Sequence, residues 1–377
     1  MKNFETPIQI KYDCRFFIGE KPCKAKRFCD GCHEYDPMGF RILIIKLGAM
    51  GDVLRTTPIL AALREKYKKC HITWMVEEGS LALLKHNPYI DRILPYRLDS
   101  ALRLLVEQYD LLISLEKIDS ATSLAELARA REKLGFGMTP QGTLRVFNPE
   151  SLYALRLGMD DRLKFLDNEK SYPRIIFEAL KLPYKGEEYS LYLDPLDEKF
   201  AANLLAGHGL DSRKPIVGIA PGAGHVFANK GWTVSGYIKL INRISDNLDA
   251  HVLLLGGERE KEANSVIREG LKNRIADIGC DYPLSRFMGI VGQCDMLICG
   301  DTLPMHIAIA LKKQVLAIFG PTCHQEIDLF GRGEKIITAK ECAPCYKGRC
   351  DIKDNCMELI SLDEVYEAAK RLVAVCK

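Results

Sequence analysis

Arg41-Ile42-Leu43-Ile44-Ile45-Lys46-Leu47-Gly48-Ala49-Met50-Gly51-Asp52-Val53-Leu54-Arg55-Thr56-Thr57-Pro58 reads as a buried strand that ends in a glycine-framed loop bearing a carboxylate. An unbroken aliphatic run of this length suits a strand covered on both faces, as in a parallel sheet. Open α/β sheets place their ligands beyond the carboxyl ends of such strands, which makes Asp52 the leading candidate for chemistry. Taken alone, Asp52 would also suit a helix cap.

The alternation continues outward from this strand. Strands are expected at 41–46, 72–76, 92–95 and 110–115, with helical patterns between them, and Thr57-Pro58 is expected to open a helix with Ile59, Leu60, Leu63 and Tyr67 inward. A second series follows Asp194-Pro195, with strands at 216–220, 251–255, 295–299 and 315–319. Helices are expected near 197–207, 235–246, 258–269, 284–292 and 304–312, and a last one at 362–375. The expected fold class is α/β, with two Rossmann-like doubly wound domains facing a cleft: an acceptor domain over 40–195 and a nucleotide-sugar domain over 196–377.

Composition agrees with two soluble domains: 377 residues, 47% hydrophobic and 27% charged. Lys+Arg 53 against Asp+Glu 50 leaves a formal charge of only +3, which excludes the strong cationic field of a nucleic-acid binder. No apolar stretch approaches the roughly 18 residues of a membrane span, and the first residues lack a signal-peptide core, so a cytoplasmic protein is expected.

Eight of the fourteen cysteines fall in two clusters: Cys14, Cys23, Cys29 and Cys32 in a polar extension over 1–39, and Cys342, Cys345, Cys350 and Cys356 over 342–356. Each contains a C-x-x-C pair. In a reducing compartment such quartets point to metal, with structural zinc expected first and an iron–sulfur cluster as the alternative.

The second half carries its own loop chemistry. Pro221-Gly222-Ala223-Gly224-His225 follows a strand and precedes Lys230-Gly231-Trp232, which suits backbone amides and one cation around a phosphate. It is not a Walker loop, and no G-x-G-x-x-G occurs. Glu258, after Gly256-Gly257, is placed for a ribose. Asp301-Thr302 opens a helix bearing His306, and Phe319-Gly320-Pro321-Thr322 forms another small-residue edge. His225 remains unassigned.

These motifs, in this order, resemble the bacterial ADP-heptose:lipopolysaccharide heptosyltransferases of glycosyltransferase family 9, over roughly residues 40–377. The resemblance implies the glycosyltransferase B fold and an inverting transfer from a nucleoside-diphosphate sugar, ADP-heptose-like, to a glycan or lipid-linked acceptor. It implies Asp52 as general base. Gly222, Lys230, Asp301, Thr302, His306, Gly320 and Thr322 would hold the donor diphosphate, and Glu258 its ribose. Leu303 departs from a common glycine, and Thr233 from a common proline. With no D-x-D in the chain, no divalent metal is expected to assist transfer. Peripheral association with the inner membrane face is a further expectation. The competing readings are a nucleotide-sugar epimerase on the same architecture and a non-catalytic nucleotide-binding metal protein.

Overall fold

The computed structural model describes residues 9–376, apart from 211–212, 223–229 and 274. Eleven strands among them form two sheets. The first runs β3 (Arg92–Pro95), β2 (Cys70–Val76), β1 (Phe40–Ile45), β4 (Gln108–Ser114), β5 (Arg129–Met138), β6 (Leu144–Val146), with every neighbour parallel except the β5–β6 hairpin. The second runs β11 (Gly333–Ile337), β10 (Gln314–Phe319), β9 (Met296–Gly300), β7 (Ile216–Ala220), β8 (His251–Leu254) and is wholly parallel. Both are doubly wound sheets, the sequence expectation for fold class.

The aliphatic runs dictate which strands are central. Ile42 to Ile45 in β1 are fully buried, as are Val217, Ile219 and Leu297 to Cys299 in β7 and β9, since helices cover both faces. Strand order reverses beside the first strand of each sheet, at β1/β4 and at β7/β9. The residues after β1, β7 and β9 therefore sit at switch points, where such sheets bind ligands.

Two compact units divide the chain. One comprises the residues up to Lys46 with Leu60–Val76 and Pro88–Asn148; the other comprises Leu47–Ile59, Glu77–Asn87 and Pro149 onward. The Asp52 segment thus belongs to the second unit, although β1 belongs to the first. Within the first unit the extension lacks regular elements beyond a Cys14–Pro37 bridge. It is pinned by Arg15, which reaches Asp91 at 3.3 Å and Asp36 at 2.9 Å. In the second unit the helix Leu362–Val375 buries Val365, Tyr366, Ala369 and Leu372 in the core around β7 and β9.

Local details differ from expectation where turn chemistry competed. Residues 50–56 form a short helix, and Thr57 ends it instead of capping the next: its hydroxyl donates to Leu54 O at 2.6 Å and accepts from Ser190 N at 2.8 Å. The following helix is Ile59–Lys66, with Ile59, Leu60 and Leu63 buried. No described helix is long and apolar enough to cross a membrane.

Candidate active site

The helix Met50–Thr56 carries Asp52 in its first turn, where the positive end of the helix favours a carboxylate. Three residues on, Arg55 Nε lies 2.9 Å from Asp52 Oδ1, and its Nη1 lies 3.4 Å from Glu326 Oε2. The guanidinium stacks 3.9 Å from the centre of the Tyr172 ring, and Tyr172 N donates to Glu326 O at 2.9 Å. Burial works against the charge of Arg55, but the Asp52 and Glu326 carboxylates outweigh it and hold its pKa above the ordinary value. Asp52 keeps 34% of its side chain exposed while Arg55 keeps only 16%, so a fixed cation clamps a carboxylate that still reaches solvent.

Gly51 has a packing reason. A Cβ built there would lie 2.4 Å from His306 Cδ2, so the His306 ring packs directly on the Asp52 helix. His306 stands on the helix Leu303–Ala310 and is 6% exposed, with Nδ1 lacking a hydrogen-bond partner. Burial lowers its pKa to about 4 against the pull of Asp301, leaving a neutral imidazole at physiological pH. The Tyr189 ring is 6.1 Å away.

Lys230 Nζ lies 3.1 Å from Asp301 Oδ2, both side chains being 16% exposed. Burial alone would raise the Asp301 pKa; Lys230 and His306 outweigh it, and the carboxyl is held below its usual range. An ionised Asp301 repels phosphate, so its part is to hold Lys230 and not to touch a diphosphate. Thr322 is buried against the same carboxylate. The helix start after Thr302 offers fewer donors than expected: Pro304 has no N–H, Met305 N donates back to Thr302 O at 3.1 Å, and the Thr302 hydroxyl donates to Gly300 O at 3.3 Å.

A cavity of about 340 Å³ opens beside this cluster. Met50, Gly222, Gly256, Glu260, Tyr282, Phe287 and Thr302 line it. Glu258 does not: it is 69% exposed and pairs with Lys261 at 2.5 Å. The carboxylate aimed at the cavity is that of Glu260, which lies against Gly222 and accepts from Gly257 N at 2.9 Å. Residues 258–260 form a helical turn that rotates Glu258 outward, a rotation the G-G-x-E spacing does not reveal. Gly320 is also off this wall, its α-carbon covered by Cys356 and Met357. His225 lies outside the described residues. Arg55, Tyr172 and Glu326 carried no motif; only the three-residue spacing of Asp52 and Arg55 could have flagged the first.

Among the described residues no three or more His, Cys, Asp or Glu side chains are gathered so as to hold a metal ion, and the cysteines are free thiols. The quartets are nevertheless local groupings. Cys14, Cys23, Cys29 and Cys32 all line one cavity of about 520 Å³. Burial, then the neighbouring Cys345, Cys350 and Cys342, pushes the Cys356 thiol above its ordinary pKa.

Comparison with known proteins names this arrangement. The sequence model of glycosyltransferase family 9 (heptosyltransferase) matches residues 97–355. Lipooligosaccharide heptosyltransferase 2 of Campylobacter jejuni is 26% identical over 331 residues, covering 86% of this chain and 95% of the relative. Among solved structures, a family 9 glycosyl transferase from Veillonella parvula superposes with a TM-score of 0.69 at 18% identity, over 90% of this chain and 98% of its own. The ADP-heptose lipopolysaccharide heptosyltransferase II of E. coli gives 0.63 at 20% identity, over 89% and 99%. With two doubly wound sheets and a family match across more than half its length, the chain belongs to glycosyltransferase family 9 and is a glycosyltransferase of the B fold.

Proposed function

We propose that this enzyme transfers heptose from ADP-heptose or a close analogue to a hydroxyl of a lipopolysaccharide-type glycan or lipid-linked acceptor, in one inverting displacement. The observation that carries the reading is Asp52, clamped by Arg55 yet solvent-reachable, in the same compact unit as the buried Lys230–Asp301 pair. The acceptor oxygen attacks the anomeric carbon, its proton passes to Asp52, and the bond to the β-phosphate breaks with its electron pair leaving on the diphosphate. Lys230, aimed by Asp301, offsets the charge that grows there.

The 340 Å³ cavity suits the nucleoside: Tyr282 and Phe287 offer flat apolar walls, and Glu260 takes the ribose hydroxyls in place of Glu258. His306, neutral and buried beneath Gly51, sets the spacing of the two helices instead of meeting a phosphate. Heptose and the lipopolysaccharide-type acceptor rest on the names of the relatives, and family membership favours transfer over the epimerase and non-catalytic alternatives. Cytoplasmic placement with peripheral membrane association fits a lipid-linked acceptor, and the exposed row Leu98, Leu102 and Val106 offers apolar area for it. Each cysteine quartet is a candidate structural thiolate site, zinc first and iron–sulfur second. The transfer itself needs no metal.

A thermal-shift panel of ADP-, GDP- and UDP-sugars, followed by product analysis with a lipopolysaccharide-core acceptor, tests the reading. Stabilisation by ADP-heptose and heptosylated product are expected. Donor conversion without an acceptor would point to epimerisation.

A further inference from the structure

We infer that Cys342, Cys345, Cys350 and Cys356 form a tetrathiolate metal site that braces the Gly320–Thr322 edge, so that metal loading sets the affinity of the donor pocket. The inference rests on the donor-site and thiolate readings above and adds a coupling between them. Three observations carry it.

The spacing C-x2-C-x4-C-x5-C lies on a stretch without helix or strand, between β11 and the helix Leu362–Val375, which leaves the sulfurs room to draw in around an ion. Cys342, Cys345 and Cys350 all lie close enough to Cys356 for their charges to act on it, a cost that a bound cation removes.

The stretch is also seated on the carboxyl end of β10. A Cβ on Gly320 would lie 2.3 Å from Met357 Sδ and 2.9 Å from Cys356 Sγ, so only glycine admits the cysteine loop. Cys345 N and Tyr346 N donate to Pro321 O at 3.0 and 2.9 Å, and Cys323 N donates to the Tyr346 hydroxyl at 3.2 Å. Tyr346 is held in turn by Phe165, stacked at 5.8 Å, and by Lys164 at 3.8 Å.

Between these anchors stands Thr322, buried against Asp301, which aims Lys230. The cysteine loop thus supports the residues that orient the diphosphate cation, as outer partners orient ligands in metal sites. It touches no reacting atom, and its role is positioning.

The test uses the full chain, purified anaerobically with reductant. Zinc and iron are measured by mass spectrometry and ADP affinity by calorimetry, for the wild type, C345S/C350S and C29S/C32S. The expectation is that C345S/C350S loses about one metal equivalent and binds ADP about tenfold more weakly, while C29S/C32S keeps ADP affinity. Because C345S/C350S could lose its fold, the wild type is also stripped with chelator and reloaded, and ADP affinity should fall and return with the metal. Absence of metal from the wild type, or metal loss with ADP affinity intact, overturns the coupling and leaves the transferase reading standing. A metal-loaded wild type without ADP affinity overturns the donor-site reading and the coupling with it.

Discussion

Arg55 Nε lies 2.9 Å from Asp52 Oδ1, and the same guanidinium is fixed from behind by Glu326 and the face of Tyr172. A base that must meet an incoming hydroxyl gains from such clamping, because little motion is left to freeze during reaction. Asp52→Asn should lower kcat by roughly 10² to 10⁴ while ADP-heptose still stabilises the protein in a thermal-shift assay. Unchanged turnover would remove Asp52 from the role of base.

The clamp is tested separately. Arg55→Lys keeps the charge but loses the planar fork that serves Asp52 and Glu326 together and the stack on Tyr172. We expect kcat to drop by about tenfold or more with the donor KM nearly constant. A change confined to KM would place Arg55 in donor binding instead.

Gly51 and His306 form a matched pair across two helices. Gly51→Ala forces a methyl into the imidazole and should cost about 1–3 kcal/mol of stability, the usual range for overpacking. In Gly51→Ala/His306→Ala the clash is gone, so the two losses should fall short of additive in urea unfolding. Simple additivity would show that the ring moves aside freely.

How much of this was legible in the sequence depended on whether the signal was local. Strands β1, β7, β9 and β10 were plain because burial on both faces demands aliphatic runs. β5 and β11 were not, since β5 opens Arg129-Ala130-Arg131-Glu132-Lys133 at a largely exposed edge and β11 holds Glu334 and Lys335. Asp52, Lys230 and Asp301 stood out because strand ends and glycines mark them. Glu326 could not, for it meets Arg55 across 271 residues, and only the fold sets that distance. Glu258 was chosen over Glu260 because spacing after a strand does not tell which way a single helical turn points its side chains. Gly320 was taken for a ligand edge because smallness looks the same whether it admits a phosphate or a cysteine loop.

Burial lowers the pKa of both His306 and His71 to about 4. Above pH 6.5 each ring is neutral in the folded and the unfolded chain and adds no pH dependence. As the pH falls below that value the unfolded chain takes up the protons and the folded chain refuses them, so stability is lost between pH 6.5 and 4, by about 3 kcal/mol per fully buried ring. His306→Gln should flatten the decline in Tm over this window and leave the share of His71. An unaltered slope would mean that His306 is protonated in the folded protein.

The two glutamates of the Gly256-Gly257 turn make opposite predictions. Glu260 lies against Gly222 on the cavity wall, whereas Glu258 is paired with Lys261 at the surface. Losing a charged hydrogen bond to a ribose hydroxyl costs about 1.5–3 kcal/mol, so Glu260→Gln should weaken ADP binding by about tenfold or more. Glu258→Gln should leave calorimetric affinity unchanged, since an exposed pair contributes little. The reverse result would mean that the turn reorganises when nucleotide binds and brings Glu258 inward.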